Sequence, residues 1–354
     1  PFKQDYTVEG FSTVTWKGTG ATTAYVGGTG FQPDLVWMKT RDNTANHAIW
    51  DSVRGVHKGL STSSTGAEVT DSYGLEEFRP DGFETRENTT AAGYSNTGSM
   101  VAWNWDMGGS NATNTDGSIT STVRANPTYG QSIVSWTNPS SSQTLTVGHG
   151  LGVKPDMIIM KGREVVGNWF VYHKDLATLS GLDEERAYLK LNATDSTASS
   201  IDYWADSIPT TSLIATTSNI VGGNSKGVVA YCFASKIGYS KFGSYSGTGS
   251  ATGPSVTTGF KPAFLMVKNV DEANSWRVWD NTRDVSNPIS KYLSSDSSGV
   301  EGSINLDVDF NSNGFQIKNT NDSANKNGNN YIYMCFADTR EYAYWLDQSG
   351  NNND

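Results

Sequence analysis

The residues able to do chemistry in this chain are scattered, and their spacing limits what they can do. The four histidines are His47, His57, His149 and His173. None stands at a metal-ligand spacing from another histidine, a cysteine or a carboxylate, so no metal site is expected. His149 lies in the glycine-rich stretch Gly148-His149-Gly150-Leu151-Gly152. No Lys-Ser/Thr follows it and no helical pattern opens there, so it does not read as a phosphate cradle. No Gly-x-Ser-x-Gly nucleophile elbow occurs. Acidic pairs exist at Glu76-Glu77 and in Asp183-Glu184-Glu185. A glycosidase needs two carboxylates roughly 5–9.5 Å apart across a cleft, and solvated acidic turns are the expectation here. The stretch from Asn319 to Gly328 is rich in oxygen donors. It lacks the spaced carboxylates of a calcium loop, and Lys326 opposes a cation, so a solvated hairpin is expected. Asp51 with Arg54 and Asp280 with Arg283 share a Trp-Asp-x-x-Arg pattern. The pattern suits an acid with its modulator, or a carboxylate–guanidinium pair pinning a turn after a strand; the second is expected. Cys232 and Cys335 sit inside apolar strands at equivalent places and are expected to be buried, reduced thiols. No cofactor is expected and no catalytic residue is assigned. Asn-x-Ser/Thr sequons at Asn88, Asn111, Asn192 and Asn321 matter only in a eukaryotic secretory route.

The aromatics are the remaining signal, with 11 Trp, 16 Tyr and 13 Phe. Sugars stack their apolar faces on aromatic rings, so an exposed ring among polar loops suits glycan binding. Repetition sorts these rings. Trp16, Trp136 and Tyr245 are equivalent, as are Trp50, Tyr172 and Trp279, and Trp105, Phe233 and Phe336; these sets are expected in the core. Tyr94, Tyr203 and Trp204 have no counterpart and lie in irregular stretches. Trp169 and Trp276 correspond to His47, so their position tolerates polarity and is expected to be exposed. Tyr94, Trp169, Tyr203, Trp204 and Trp276 are therefore the glycan-binding candidates.

These residues hang on a segment that occurs three times. Gly30-Phe31-Gln32-Pro33-Asp34-Leu35-Val36-Trp37-Met38-Lys39 returns from Gly152 to Lys161 and from Gly259 to Lys268. Proline stands three residues after glycine and lysine nine after it. The apolar run between them is too short for a typical helix and reads as a buried strand, with the lysine marking its return to solvent. Leu75 to Phe78 is expected to be a single helical turn. Pro80-Asp81-Gly82-Phe83 and Ser312-Asn313-Gly314-Phe315 read as equivalent turns into strands, and residues 108–117 as a flexible connection. Turn signals recur between seven or eight short strands per unit, and helix-period patterns are nearly absent. The fold class expected is all-β: three tandem, related antiparallel β-sandwich (jelly-roll-like) domains. Their bounds are 1–108, 109–236 with an insertion near 194–209, and 237–340, followed by a C-terminal linker at 341–354.

Net charge is −10 over 354 residues, which argues against a nucleic-acid partner. No apolar run is long enough to span a membrane as a helix. No signal segment opens the chain, and the missing initiator Met suggests processing, trimming or a fragment.

The repeats also resemble segments of tail-fibre-like structural proteins of marine bacteriophages, including phages of cyanobacteria. The resemblance is carried by Gly30 to Lys39 with Asp51-Ser52-Val53-Arg54-Gly55, by Asn114 to Val123, and by Gly148 to Gly152. It is strongest in Gly238-Tyr239-Ser240-Lys241-Phe242-Gly243-Ser244-Tyr245 with Thr258 to Phe264. The end, Leu346 to Asp354, resembles the point where such chains run on into another domain. The resemblance covers essentially the whole chain. It implies a virion, extracellular location and a structural or host-attachment role without catalysis. It also implies self-association, with a homotrimer favoured, other virion proteins as partners, and a host-surface glycan as a possible receptor. A purely structural decoration or filament subunit, and a polysaccharide-cutting tailspike, are the alternatives.

Overall fold

The computed structural model describes residues 10–19, 23–71, 73–86, 97–218 and 221–338. The candidate Tyr94 and the expected C-terminal linker lie outside these residues. The described chain is all-β and antiparallel in its named strands, with two short helices at Leu176–Ser180 and Asp322–Asn325. Each repeat builds one large sheet whose five shared strands follow one order: opening, closing, anchor, second, third. In the first repeat these are Phe11–Thr19, Thr97–Trp105, Leu35–Thr40, Ala48–Asp51 and Lys58–Ser61. In the second they are Gln131–Thr137, Gly227–Phe233, Met157–Gly162, Trp169–His173 and Ala187–Lys190. In the third they are Ser240–Ser246, Asn330–Phe336, Phe264–Asn269, Arg277–Asp280 and Leu293–Ser294. A separate small sheet accompanies each large one.

The unbroken apolar anchor runs follow from burial on both faces. Val36 and Met38 point into a core shared with Phe83 of the first repeat's small sheet. Leu35 and Trp37 point the other way, into a cluster that also holds Met157 and Ile159 of the second repeat and Phe264 and Met266 of the third. The alternation repeats: Ile158 and Met160 face the second repeat's own core, and Leu265 and Val267 the third's. The described residues therefore form three local cores and a fourth, common one, in which all three large sheets meet.

Four local expectations are corrected. The anchor lysines do not return to solvent, since Lys39, Lys161 and Lys268 are each 0 % exposed. Leu75 to Phe78 belongs to the strand Gly74–Arg79, bulged between Leu75 and Glu77, because Leu75 must reach the local core. Within 108–117, Ala112–Asn114 pairs with Ser121–Asn126 on the edge of the second sheet. Arg124 holds the carbonyls of Gly108 and Gly109. The expected solvated hairpin at 319–328 is packed instead. Asn325 is buried and its side chain donates to Ser250 O and Asn319 O. Cys232 and Cys335 are buried free thiols in separate cores, as expected.

The paired turns before Phe83 and Phe315 have one requirement in common. Gly82 has φ +143° and Gly314 φ +151°, and a Cβ would fall 2.0 Å from Val26 O or 1.9 Å from Val256 O. Only glycine lets the neighbouring strand come this close. Gly82→Ala or Gly314→Ala should lower stability by roughly 2–4 kcal/mol. Gly109→Ala, with nothing within 4 Å, should leave the urea midpoint unchanged.

Candidate functional site: the junctions between repeats

Around the common core the repeats meet cyclically, first on second, second on third, and third back on first. The same backbone bonds recur at the same spacing. Gly167 N donates to Thr65 O (2.9 Å), Asn274 N to Thr194 O (2.9 Å) and Ala45 N to Ser298 O (3.0 Å). Three residues further on, Glu68 N donates to Arg163 O (2.6 Å), Thr197 N to Val270 O (2.9 Å) and Glu301 N to Arg41 O (2.7 Å). A ring completes each set. Trp169 Nε1 donates to Ser61 O at 2.7 Å, and Trp276 Nε1 to Lys190 O at 2.9 Å. His47 takes the same place: the Ser294 carbonyl lies beside its ring, and its Nδ1 accepts from Trp37 Nε1. Trp169 and Trp276 are thus 0 % and 1 % exposed. The expected exposure is corrected, because both tryptophans are buried between repeats with their ring N–H groups bonded to carbonyls across the junction.

Asp51 and Arg54 pin their turn as expected, with Asp51 Oδ1 accepting from the backbone N of Val53 and Arg54. Their side chains also cross the junction. Arg54 pairs with Asp51 at 2.5 Å and with Glu68 at 3.0 Å, both ion pairs fully or nearly fully buried. Tyr231 of the second repeat donates its hydroxyl to Asp51 Oδ2 at 2.8 Å. Arg163 closes the network with two bonds to Glu68, both 2.8 Å. The third-to-first junction repeats the device. Asp280 pairs with Arg283, Arg283 with Glu301 at 3.0 Å, and Arg41 binds Glu301 at 2.9 and 2.8 Å. Trp103 Nε1 replaces the tyrosine hydroxyl, donating to Asp280 Oδ2 at 3.0 Å. Burial opposes the Arg54 charge, but Asp51, Tyr231 and Glu68 outweigh it and hold the guanidinium above its usual range. Sequence reasoning found the aspartate–arginine pairs and missed Arg41, Arg163, Glu68 and Glu301. The available signal was an arginine two residues after two of the three anchor lysines.

Those lysines line the same junctions. Lys161 Nζ donates to the carbonyls of Thr65, Val165 and Gly167, Lys268 to Thr194 and Asn269, and Lys39 to Thr40 and Asn43. Burial lowers each to about 8. Between about 8 and the unfolded value of 10.5 the folded chain binds fewer protons than the unfolded one. Stability should therefore rise with pH across that window, by up to about 1.4 kcal/mol per unit per lysine. Above pH 10 the buried Tyr231, Tyr239 and Tyr245, which burial holds protonated, reverse the trend. Urea midpoints at pH 7.5, 9 and 10 check the rise, and Lys268→Met should reduce it by about a third. Arg54→Met should cost roughly 3–5 kcal/mol, because it leaves Asp51 a buried carboxylate without its guanidinium partner while Glu68 keeps Arg163.

Both of the other described aromatic candidates are taken up in packing within the second repeat. Trp204 is 1 % exposed; it donates to Ala187 O and packs on Tyr172. Tyr203 is half-buried, stacked 3.9 Å from Phe170. A polar cleft of about 630 Å³ opens elsewhere, lined by Gln32, Asp34, Asp106, Arg124 and Asn126 among others. Burial pushes Asp34 up to about 7 against the pull of Arg124. Repetition favours a bracing role for it. Asp34 Oδ2 accepts from Met107 N at 2.9 Å, as Asp156 Oδ2 does from Ser235 N at 2.7 Å, both just past a closing strand. Among the described residues, no group of three or more His, Cys, Asp or Glu is placed to hold a metal ion.

No curated protein and no solved structure matches the chain in the searches made. A protein-family model described as a domain of unknown function, DUF7483, matches residues 7–340. The chain belongs to the DUF7483 family.

Proposed function

We propose that the chain is a non-catalytic structural module of a bacteriophage tail fibre or related virion adhesin, made of three related β-sandwich units. One observation carries the structural part: the residues best equipped for chemistry are used up in holding the repeats together. Asp51, Arg54, Asp280, Arg283 and the three anchor lysines have buried side chains whose bonds are made within or across junctions. The virion setting rests on the sequence resemblance. Self-association and contacts with other virion proteins belong to the same proposal.

Host-glycan recognition is a second reading, favoured by the polar cleft with Asp106, Arg124 and Asn126 rather than by the buried tryptophans. The full chain should be passed over an array of bacterial envelope polysaccharides, with and without calcium, and assayed for newly released reducing ends. The structural reading expects no release. Release that is lost on Asp34→Asn would contradict it and favour a polysaccharide-cutting enzyme. Reproducible binding lost on Asp106→Ala but kept in Trp276→Phe would place recognition in the cleft.

A further inference from the structure

The three junctions share their backbone bonds and their buried lysines, but only two of them carry the charged network. In the second-to-third junction, His173 and Leu176 stand where the others carry Asp51 and Arg54 or Asp280 and Arg283. Thr197 stands for Glu68 and Glu301, Val270 for Arg163 and Arg41, and Met334 for Tyr231 and Trp103. Leu176, Val270 and Met334 lie together in the common core. His173 is buried there in its neutral form, its Nδ1 accepting from Asp175 N. All five positions change together, on both sides of the contact.

We propose that these two sets form a matching code that makes each junction face an addressed docking surface and fixes the cyclic order of the repeats. Each repeat has an outgoing face, carried by its second strand and the segment after its third, and an incoming face, carried by its anchor and closing strands. The first repeat is polar on both. The second is polar incoming and apolar outgoing, and the third is apolar incoming and polar outgoing. In the observed order every polar face meets a polar face and the apolar faces meet each other. In the reverse order, first on third and second on first, Asp51, Arg54 and Glu68 would be buried against Val270 and Met334, and Arg41 would lose Glu301. Two of the three contacts would then hold unpaired buried charge. A buried network replaced as a whole by apolar groups is tolerated, whereas one half left without the other is not.

The test is an exchange in the full chain. The outgoing half-exchange is Asp51→His, Arg54→Leu and Glu68→Thr. The incoming half-exchange is Arg163→Val with Tyr231→Met, and the full exchange combines all five. Each half-exchange should lower the urea midpoint by roughly 1 M, and the full exchange should recover most of that loss. A full exchange no more stable than the sum of its halves predicts would overturn the code. If the half-exchanged chains do not fold, the milder pair decides. Glu68→Thr and Arg163→Val should each lower the midpoint, and their combination should cost less than the sum. Strict additivity in that pair overturns the proposal.

Discussion

Three aromatic rings at the centre of the molecule set the terms for the rest. Trp105, Phe233 and Phe336 end the three closing strands, and their ring centroids are 6.3, 5.8 and 6.0 Å apart. Each closing strand lies between its opening and anchor strands, so placing its last ring at the centre orients a whole sheet. Leu35, Met157 and Phe264 follow in the same cluster, one from each anchor. The rings touch one another, and a void beside Trp105 and Phe233 measures only about 10 Å³, as in a packed core. Every large sheet must therefore be apolar on two faces, which is why the anchor strands lack the polar alternation of an ordinary half-exposed sheet.

That double burial creates a second demand. Bringing sheet ends together buries backbone carbonyls that an isolated unit would leave in water, and buried polar groups need partners. The junction lysines, the ring N–H groups and the arginine networks answer this demand. A lysine in such a place loses hydration but gains two or three carbonyl acceptors, and this balance keeps it buried with a weakened hold on its proton. The arginine networks add fixed geometry more than stability, since an apolar set does the same work in one junction of the three.

Much of this was legible in the sequence, and the misses share a cause. The threefold repeat, the anchor strands, the equivalent core aromatics and the turn-pinning role of Asp51 with Arg54 could all be read from spacing. Whether the repeats form a string or a cycle could not, because nothing local to one repeat says what its second apolar face touches. Equivalence to His47 suggests tolerance of water at Trp169 and Trp276, yet both rings are buried. What Trp169 and Trp276 share is a donor N–H that meets a carbonyl of the neighbouring repeat, and His47 fills the same buried place as a smaller ring held by Trp37 Nε1. The lysines were misplaced for a similar reason: a position at the end of a strand was assumed to be wet. Their recurrence in all three repeats, where a merely solvated position would drift, was the clue.

A cycle of three related units around a filled core explains why the charged side chains at the junctions are buried against neighbouring repeats. The central claim is that the third repeat closes on the first, and a distance across that junction tests it most directly. Thr44 and Val300 are exposed and flank the bond from Ala45 N to Ser298 O. Both can be replaced by cysteine and spin-labelled, since the native Cys232 and Cys335 are buried thiols that burial keeps protonated. Dipolar spectroscopy on the doubly labelled chain, diluted in unlabelled protein, should give one short, narrow distance. A long or broad distribution, as from units strung in a line with the second between the first and third, would contradict the account.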